Sequence, residues 1–509
     1  MSKRMNLRLG TRPSLLAIAQ SRLVARALER RYPELGVELV NVCTRGDRDR
    51  HTPLTRVNDP GFFAAELDEA LRGGDVDFCV HSYKDLGPDR PADIALAAIP
   101  PRENPRDAVL FSADVRDKLE RGETVRIGSS SLRRQINIGD FLPRALPNDG
   151  KSVAIEFHAL RGPVHERLAR IDAGNEGLDG VVLALAGLAR LWQDADGHAA
   201  IAPLLADAMW MVLPLSECPT AAGQGALAVE CRADDERTRQ LLGKLHDPGS
   251  AALVAAEVDT IERHAKGIET GVGSTSSFLP ALGLVTLLRG RASPEDGRLI
   301  AVAESSAHAQ PGTGSVKAWS DDDWRRYTQR RKLSTALPET GAVFAAHWHA
   351  LDSRKLNPDV RCWTSGVASW LQMARQGLWV EGCADNLGFE SIKATLSCPV
   401  LALPELNEWT ALTHADAIDG WQGSGTRNAL ATYESVIDSI VSDELDEQLV
   451  NCTHFYWSSV RQYQSLKPCL PETAHHACGP GKTLTALREA GLDNVQAFAS
   501  RKEWQQWLA

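Results

Sequence analysis

Residues 127–135 read IGSSSLRRQ, three serines running straight into two adjacent arginines. Serine hydroxyls and free backbone N–H groups at a helix start make a seat for an anion. The rigid guanidinium forks of Arg133 and Arg134 match carboxylates or phosphates in paired hydrogen bonds. Ser129, Ser130, Ser131, Arg133 and Arg134 are therefore candidate ligand-binding residues. Arg12, Arg161, Arg167 and Arg190 stand in similar places, each near a Gly or Ser turn, so several arginines are able to converge on one cleft. A second stretch, VHSYKDLGP, carries Ser82, Lys84 and Asp85 off a buried strand onto a loop before Pro88. A carboxylate there can hold a cationic intermediate and shuttle protons. One such arginine alone is more often a solvated surface residue, and one such aspartate more often caps a turn. Only the set, taken together, points to chemistry.

Other stretches do not carry a site. HHACGPGKT approaches a phosphate-binding loop but has His476 where that pattern needs glycine. GPGKTL and TGVGSTS do not fit GxGxxG, and there is no GxSxG elbow. The HWH triplet at 347–349 and the pair His475–His476 lack an acidic or thiol partner at ligand spacing, so no metal site is expected. RRYTQRRK reads as a charged linker face.

The elements that must position these residues follow from the chain as a whole. Its 509 residues are too many for one core. A net charge of −10 disfavours nucleic acid or an anionic membrane surface as a general partner, so anion binding must come from a local arginine cluster. No apolar run approaches the ~18 residues of a membrane helix, and MSKRMNLRLG lacks the apolar core of a secretory signal. The ten cysteines form no CxxC pair, which points to reduced thiols and a cytoplasmic location. In the first third, strands (NLRLGT, VELVNVCT, VDFCVHSYKD, VRIGSSS, VAIEFHAL, GVVLALAG) alternate with helical stretches. Ser14 caps the first helix, whose apolar face is read as Leu16, Ala19, Leu23 and Ala27, and Pro33 ends it. Such alternation predicts α/β layers with mostly parallel sheets and sites at the carboxyl ends of strands. A polar stretch near residues 292–341 predicts a hairpin and then a linker. Beyond it, WTSGVASWLQMARQGLWVEGC is echoed in outline by YWSSVRQYQSL…HHACGPGKTLTALREAGL, which suggests two similar α/β lobes.

LRLGTRPSLLAIAQ, TRGD, VHSYKDL, PPRENPRDAVL, IGSSSLRRQ, LRGPVHERL, LALAGLARL and AAGQGALAVECR occur in the order found in hydroxymethylbilane synthase, also called porphobilinogen deaminase. Residues about 5–305 resemble that family. The resemblance implies two α/β lobes like those of a solute-binding protein, lobe 1 at 1–106 with 208–226 and lobe 2 at 107–207. A small α/β third domain would span 227–325. It implies the stepwise joining of porphobilinogen to a linear tetrapyrrole with release of ammonia, a transferase reaction. Asp85 then resembles the carboxylate that contacts pyrrole nitrogens and stabilises the cationic intermediate. Arg12, Arg133, Arg134, Arg161, Arg167 and Arg190 fall on substrate- and cofactor-binding arginines, and Ser14, Ser82, Lys84 and Ser129–Ser131 on further contacts. The implied cofactor is dipyrromethane, and the implied ligands are porphobilinogen and the linear tetrapyrrole.

The family anchors that primer on a cysteine. Here KGIETGVG occupies the matching stretch and the position falls on Ile268, with no cysteine between 232 and 361. A family lysine is replaced by Pro60 and a family asparagine by Pro163. A pyrrole-binding protein without catalytic activity is therefore the alternative expectation. A solute-binding protein proper is a third, and it lacks an export signal. Residues 326–340 are read as a linker. The tail, 341–509, resembles uroporphyrinogen-III synthase through WTSGVASW, ATYESV, YWSSVRQY and ACGPGKTLTALREAGL. That resemblance implies a two-lobed α/β cyclase with Tyr433, Ser458, Ser459 and Thr483 in its cleft. The bland reading of each is a core tyrosine or a helix cap.

Overall fold

The computed structural model describes residues 5–44, 64–87, 90–171, 177–295, 297–305, 316–319, 328–352, 354–437 and 449–508. Pro60 lies outside them. The molecule is mixed α/β with several separate sheets. It divides into two compact units, one made of Met1–Pro143, Val153–Ser276 and Leu287–Ala301, the other of Arg144–Ser152, Ser277–Thr286 and Val302–Ala509. Among the described residues no helix is long and apolar enough to cross a membrane.

In the first unit the expected alternation forms two five-stranded sheets. The first has the order β2 (Leu35–Asn41), β1 (Met5–Thr11), β3 (Phe78–Ser82), β10 (Leu227–Arg232), β4 (Ile94–Ala98). β1 runs parallel to β2 and β3, and β10 runs antiparallel to β3 and β4. The second has the order β7 (Ile155–His158), β6 (Val125–Gly128), β8 (Gly180–Ala184), β5 (Asp107–Phe111), β9 (Met209–Val212). β6 is parallel to β7 and β8, and β5 is antiparallel to β8 and β9. In each sheet four strands run the same way, β1–β4 in the first and β6–β9 in the second, and the one antiparallel strand, β10 or β5, enters from the other sheet.

The chain crosses between β4 and β5 and again between β9 and β10, which moves two boundaries. Residues 209–212 pair with β5 in the second sheet rather than joining the first. Residues 227–232 are a central strand of the first sheet rather than part of a third domain. Both strands are short and buried on both faces, and such runs carry no local sign of which sheet they enter.

Ser14 caps the helix Leu15–Arg31, its hydroxyl accepting the Ala17 N–H at 3.3 Å. The buried stripe of that helix runs through Ser21, Val24, Ala25 and Leu28, packed on Leu7, Leu9, Phe78 and Val229. The expected face is therefore rotated: Leu16, Leu23 and Ala27 are only partly buried. Ser21 can lie inside because its hydroxyl meets Thr11 Oγ1 at 2.8 Å.

The helix Pro248–His264 opens on an Asp247 cap that accepts the Ser250 N–H at 2.7 Å. It precedes a three-stranded sheet, β11 (Val272–Leu279), β12 (Gly283–Gly290), β13 (Ile300–Ser305).

The second unit holds two mainly parallel sheets. One has the order β15 (Thr328–Lys332), β20 (Asn428–Ile437), β19 (Trp409–His414), β16 (Ala342–Ala345), β17 (Arg361–Thr364), β18 (Gly382–Cys383). The other runs β14 (Ala318–Trp319), β21 (His454–Trp457), β22 (His475–Cys478), β23 (Val495–Ala497). The sequence echo corresponds to β17, the helix Val367–Ala374 and β18 in one sheet, and to β21, the helix Val460–Leu466 and β22 in the other. The expected linker is corrected: residues 328–332 form β15, antiparallel to β20. Their charges sit on a sheet edge, where solvated side chains and ladder hydrogen bonds coexist.

Candidate active site

The carboxyl ends of β1, β3 and β6 carry the candidate residues. At β6, Gly128 is needed because a Cβ there would meet Leu160 Cδ2 and Leu178 Cδ1 at 2.6 Å. The chain then turns through Ser129–Ser131 into the helix Leu132–Ala145. Ser130 ties this turn to the next strand end: its hydroxyl accepts the Leu160 N–H at 2.8 Å and donates to the Leu160 carbonyl at 3.0 Å. That link positions the neighbouring Arg161. Ser129 Oγ accepts the Ser131 N–H at 3.4 Å. The Ser131 hydroxyl has no partner among the described residues.

Arg133 and Arg134 were expected to await incoming carboxylates. In the fold they are 5% and 8% exposed and already share one carboxylate, the fully buried Asp107 at the start of β5. Arg134 Nη2 and Nε donate to Asp107 at 2.7 and 3.2 Å, and Arg133 Nη2 donates at 2.9 Å. Arg133 Nη1 also binds the Pro219 carbonyl at 2.8 Å, and Arg134 Nη1 the Val182 carbonyl at 3.1 Å. Burial alone would raise the Asp107 carboxyl, but Arg134 and Arg133 hold it well below the usual carboxylate range. The pair is thus preorganised by an internal counterion, and only part of each fork remains for a ligand.

At β3, a 3₁₀ turn Tyr83–Asp85 presents Lys84 and Asp85. Asp85 is exposed, and among the described residues its carboxylate has no hydrogen-bond partner. Lys84 reaches solvent but lies in a recess walled by protein. That desolvation lowers its pKa to about 8, opposed by Asp85 and Asp107 and aided by Arg134 and Arg133. Ser82 exchanges hydrogen bonds with Gln20, at 3.0 Å from the amide nitrogen. Behind it, His81 is buried and its pKa falls to about 3, from burial first and then Arg90 and Arg12. It therefore stays neutral.

Arg167 joins the same cluster. Its pKa is lowered to about 10 by burial and by Arg134, with Asp85 opposing, and its Nε holds the Gly162 carbonyl at 2.7 Å. Pro163 stands at the N-cap of the helix Val164–Leu168, which has no side-chain cap, and its carbonyl accepts the Arg167 N–H at 3.1 Å. Arg190 is buried and donates to the Gly225 carbonyl at 2.6 Å, a framework contact. Arg12 and Arg161 are half-buried.

Gln224 in AAGQGALAVECR and Asp107 in PPRENPRDAVL are two further site residues, absent from the candidates drawn from sequence. Their signals were a carboxylate opening an apolar strand and a glutamine between two glycines. Gly223 and Gly225 have φ of +71° and +86°, and added Cβ atoms would meet Tyr83 Cδ1 at 2.4 Å and the Glu103 carbonyl at 2.3 Å. The loop therefore presses directly on the Tyr83–Asp85 turn. A buried pair, Arg102 Nη1 to Glu257 Oε1 at 2.6 Å, fastens the same loop to the helix Pro248–His264, and Glu257 accepts the Gly223 N–H at 2.7 Å.

At the expected anchor position the residues do not fit a thioether-bound primer. Ile268 lines an open groove of ≈ 530 Å³ with His264, Ala292, Arg298, Leu299 and Ile300. Cys79, Cys218 and Cys231 in this unit are buried, while Cys43, just beyond β2, is exposed. No group of three or more His, Cys, Asp or Glu able to hold a metal occurs among the described residues.

In the second unit, Ser459 caps the helix Val460–Leu466 through the Gln462 N–H at 3.3 Å. Ser458 Oγ binds Gln462 Oε1 at 3.2 Å, and the Thr483 hydroxyl donates to the Ser458 carbonyl at 3.2 Å. These three are brought together, with their hydroxyls serving local structure. Tyr433 stands elsewhere, its buried ring 5.1 Å from that of His414 and 6.0 Å from that of His349. Burial pushes its phenol up to about 12, with Arg330 opposing. His414 Nδ1 accepts the Asp416 N–H at 3.0 Å, so in the neutral ring Nε2 carries the proton and donates to Ser435 Oγ at 3.1 Å. The ion pair Asp416–Arg461 links the Tyr433 group to the helix Val460–Leu466.

Residues 7–240 match the family model described as "Porphobilinogen deaminase, dipyromethane cofactor binding domain". The porphobilinogen deaminase of Syntrophotalea carbinolica is 36% identical over 305 residues, covering 59% of this chain and 89% of that protein. That of Roseiflexus sp. is 36% identical over 312 residues, covering 61% and 93%. That of Limosilactobacillus reuteri is 37% identical over 248 residues, covering 49% and 74%. Among solved structures, the BenM effector binding domain with its effector benzoate aligns at a TM-score of 0.27 and 15% identity, covering 50% of this chain and 95% of that one, too low a likeness to bear on the fold.

Proposed function

Because the chain belongs to the porphobilinogen deaminase family, we propose that its first unit joins porphobilinogen units head to tail into a linear tetrapyrrole. The observation that carries this reading is the meeting of the Lys84–Asp85 turn with the Arg133–Arg134–Asp107 cluster through Gln224. Each pyrrole brings acetate and propionate groups. The half-buried Arg12, Arg161 and Arg167, the free donors of Arg133 and Arg134, and the Ser131 hydroxyl would neutralise them. Loss of ammonia from the aminomethyl carbon leaves a cation conjugated with the ring nitrogen. The unpartnered Asp85 carboxylate accepts from that N–H and stabilises the charge until the next ring forms the C–C bond and gives up its α-proton. The equal strand order of the two sheets supports lobes of the solute-binding-protein kind with the site between them.

With Ile268 at the anchor position, no thioether is formed there. The polycarboxylate primer is held by charge-assisted hydrogen bonds, each worth ~1.5–3 kcal/mol. The absent cysteine together with Pro163 favours one second reading, a non-catalytic pyrrole-binding protein. For the tail we propose a cyclase that receives the linear product, supported by its two mainly parallel sheets and by Tyr433 among imidazoles.

Intact mass spectrometry, native and denaturing, with product analysis after adding porphobilinogen, tests all of this. A native-only mass increment plus type III uroporphyrin is the expected outcome. An increment that survives denaturation would show that another residue carries the primer. Pyrrole binding without ammonia release would establish the second reading.

A further inference from the structure

Gln224 ties three different parts of the first unit together through its side chain and its backbone carbonyl. Its Oε1 accepts from Lys84 Nζ at 3.0 Å. Its Nε2 donates to Asp107 Oδ1 at 2.8 Å and to the Pro105 carbonyl at 2.7 Å. Its own carbonyl accepts from Arg102 Nε at 2.8 Å, and Arg102 is held by Glu257. The side chain is 1% exposed, so it cannot exchange these partners for water.

We propose that Gln224 is a positioning residue that orients the Lys84 ammonium by reading the orientation of Asp107. The amide has one acceptor and one donor end. Asp107 and the Pro105 carbonyl accept only, so the NH₂ end must face them. The oxygen is therefore fixed toward Lys84, where it favours the charged ammonium. A carboxylate engaged by both arginines thus dictates, through one amide, the position of the amine beside Asp85. This inference rests on the proposed role of the Lys84–Asp85 turn, but its test does not need turnover.

Charged groups facing Lys84 are Asp85 on its own turn, Asp107 on β5, and Arg133 and Arg134 on the helix Leu132–Ala145. None of them is altered by substituting Gln224. Lys84 would be followed in the full-length chain by reductive ¹³C-methylation and NMR titration, with Lys84→Arg supplying the assignment. Gln224→Met removes the acceptor at nearly constant volume. The Lys84 midpoint is expected to fall by about one pH unit, because a hydrogen bond to the charged form is lost. Gln224→Glu puts a carboxyl oxygen against the acceptor-only Asp107 and Pro105 carbonyl, so it takes up a proton there and keeps an acceptor toward Lys84, and the midpoint is expected to stay close to the unsubstituted value. A merely structural glutamine would lower the unfolding temperature in both variants without lowering the midpoint in Gln224→Met alone. A midpoint unchanged in folded Gln224→Met would overturn the proposal. On the unsubstituted chain, the Gln224 side-chain ¹⁵N resonance should titrate with the Lys84 midpoint, and an invariant resonance would also overturn it. If the midpoints behave as stated but the chain makes no tetrapyrrole, the functional reading fails and the positioning role stands.

Discussion

Asp107→Asn separates the framework of the site from its chemistry. The wild-type carboxylate is fully buried and takes hydrogen bonds from Arg133, Arg134 and Gln224. Asparagine keeps the shape but removes the charge and turns an NH₂ toward donors. Two guanidinium groups, 5% and 8% exposed, would be left without their counterion. Breaking a buried pair by removing one partner costs ~3–5 kcal/mol. For a unit of this size that corresponds to a fall in unfolding temperature of roughly 10 °C. The acid behaviour gives an independent check. The folded-state pKa of Asp107 is held below its unfolded value, so its stabilising contribution is complete above the unfolded pKa of ~3.9. It is lost as pH falls from there toward the folded value. Thermal and urea unfolding between pH 7 and pH 2.5 should therefore show the difference between wild type and variant shrinking in acid. A variant within ~1 kcal/mol of wild type at pH 7, or a difference independent of pH, would refute the counterion reasoning.

Asp85→Asn should behave oppositely. Its carboxylate has no described partner, so unfolding should shift by less than ~0.5 kcal/mol while tetrapyrrole formation is abolished; retained turnover removes Asp85 from the chemistry. With Lys84 losing its charge near pH 8, affinity for porphobilinogen should fall on the alkaline side of that value, as KM against pH would show. In Lys84→Met that limb should be absent. Tyr433→Phe should leave linear-product formation intact and lower the proportion of type III over type I uroporphyrin, measured by chromatography of the oxidised products; an unchanged isomer ratio removes Tyr433 from the cyclisation.

Much of the local framework was legible in the sequence. The strand–helix alternation, the Ser14 cap, and the placing of Ser82–Asp85 and Ser129–Arg134 at strand ends all follow from local pattern and turn chemistry. Their physical basis is short-range: an apolar run, a capping hydroxyl, or a glycine wedged between Leu160 and Leu178 reports itself within a few residues. The buried face of the first helix was misplaced because a serine that finds Thr11 as partner can lie inside, and the periodicity of apolar residues cannot know that.

Three matters were decided only by the tertiary structure. One is sheet membership: β9 and β10 are both short and largely buried, and only the crossovers assign one to each sheet. Another is β15, whose basic side chains read as linker until β20 supplies a ladder. The last is the state of the arginines. The sequence by itself determined that a set of guanidinium groups would flank a carboxylate-bearing turn. It did not determine that Asp107 would occupy two of them or that Gln224 would bridge them to Lys84. Those contacts join residues 26 to 140 positions apart. Hydrogen bonding at such separations depends on where the folded chain brings the partners, and no local pattern of residue types encodes it.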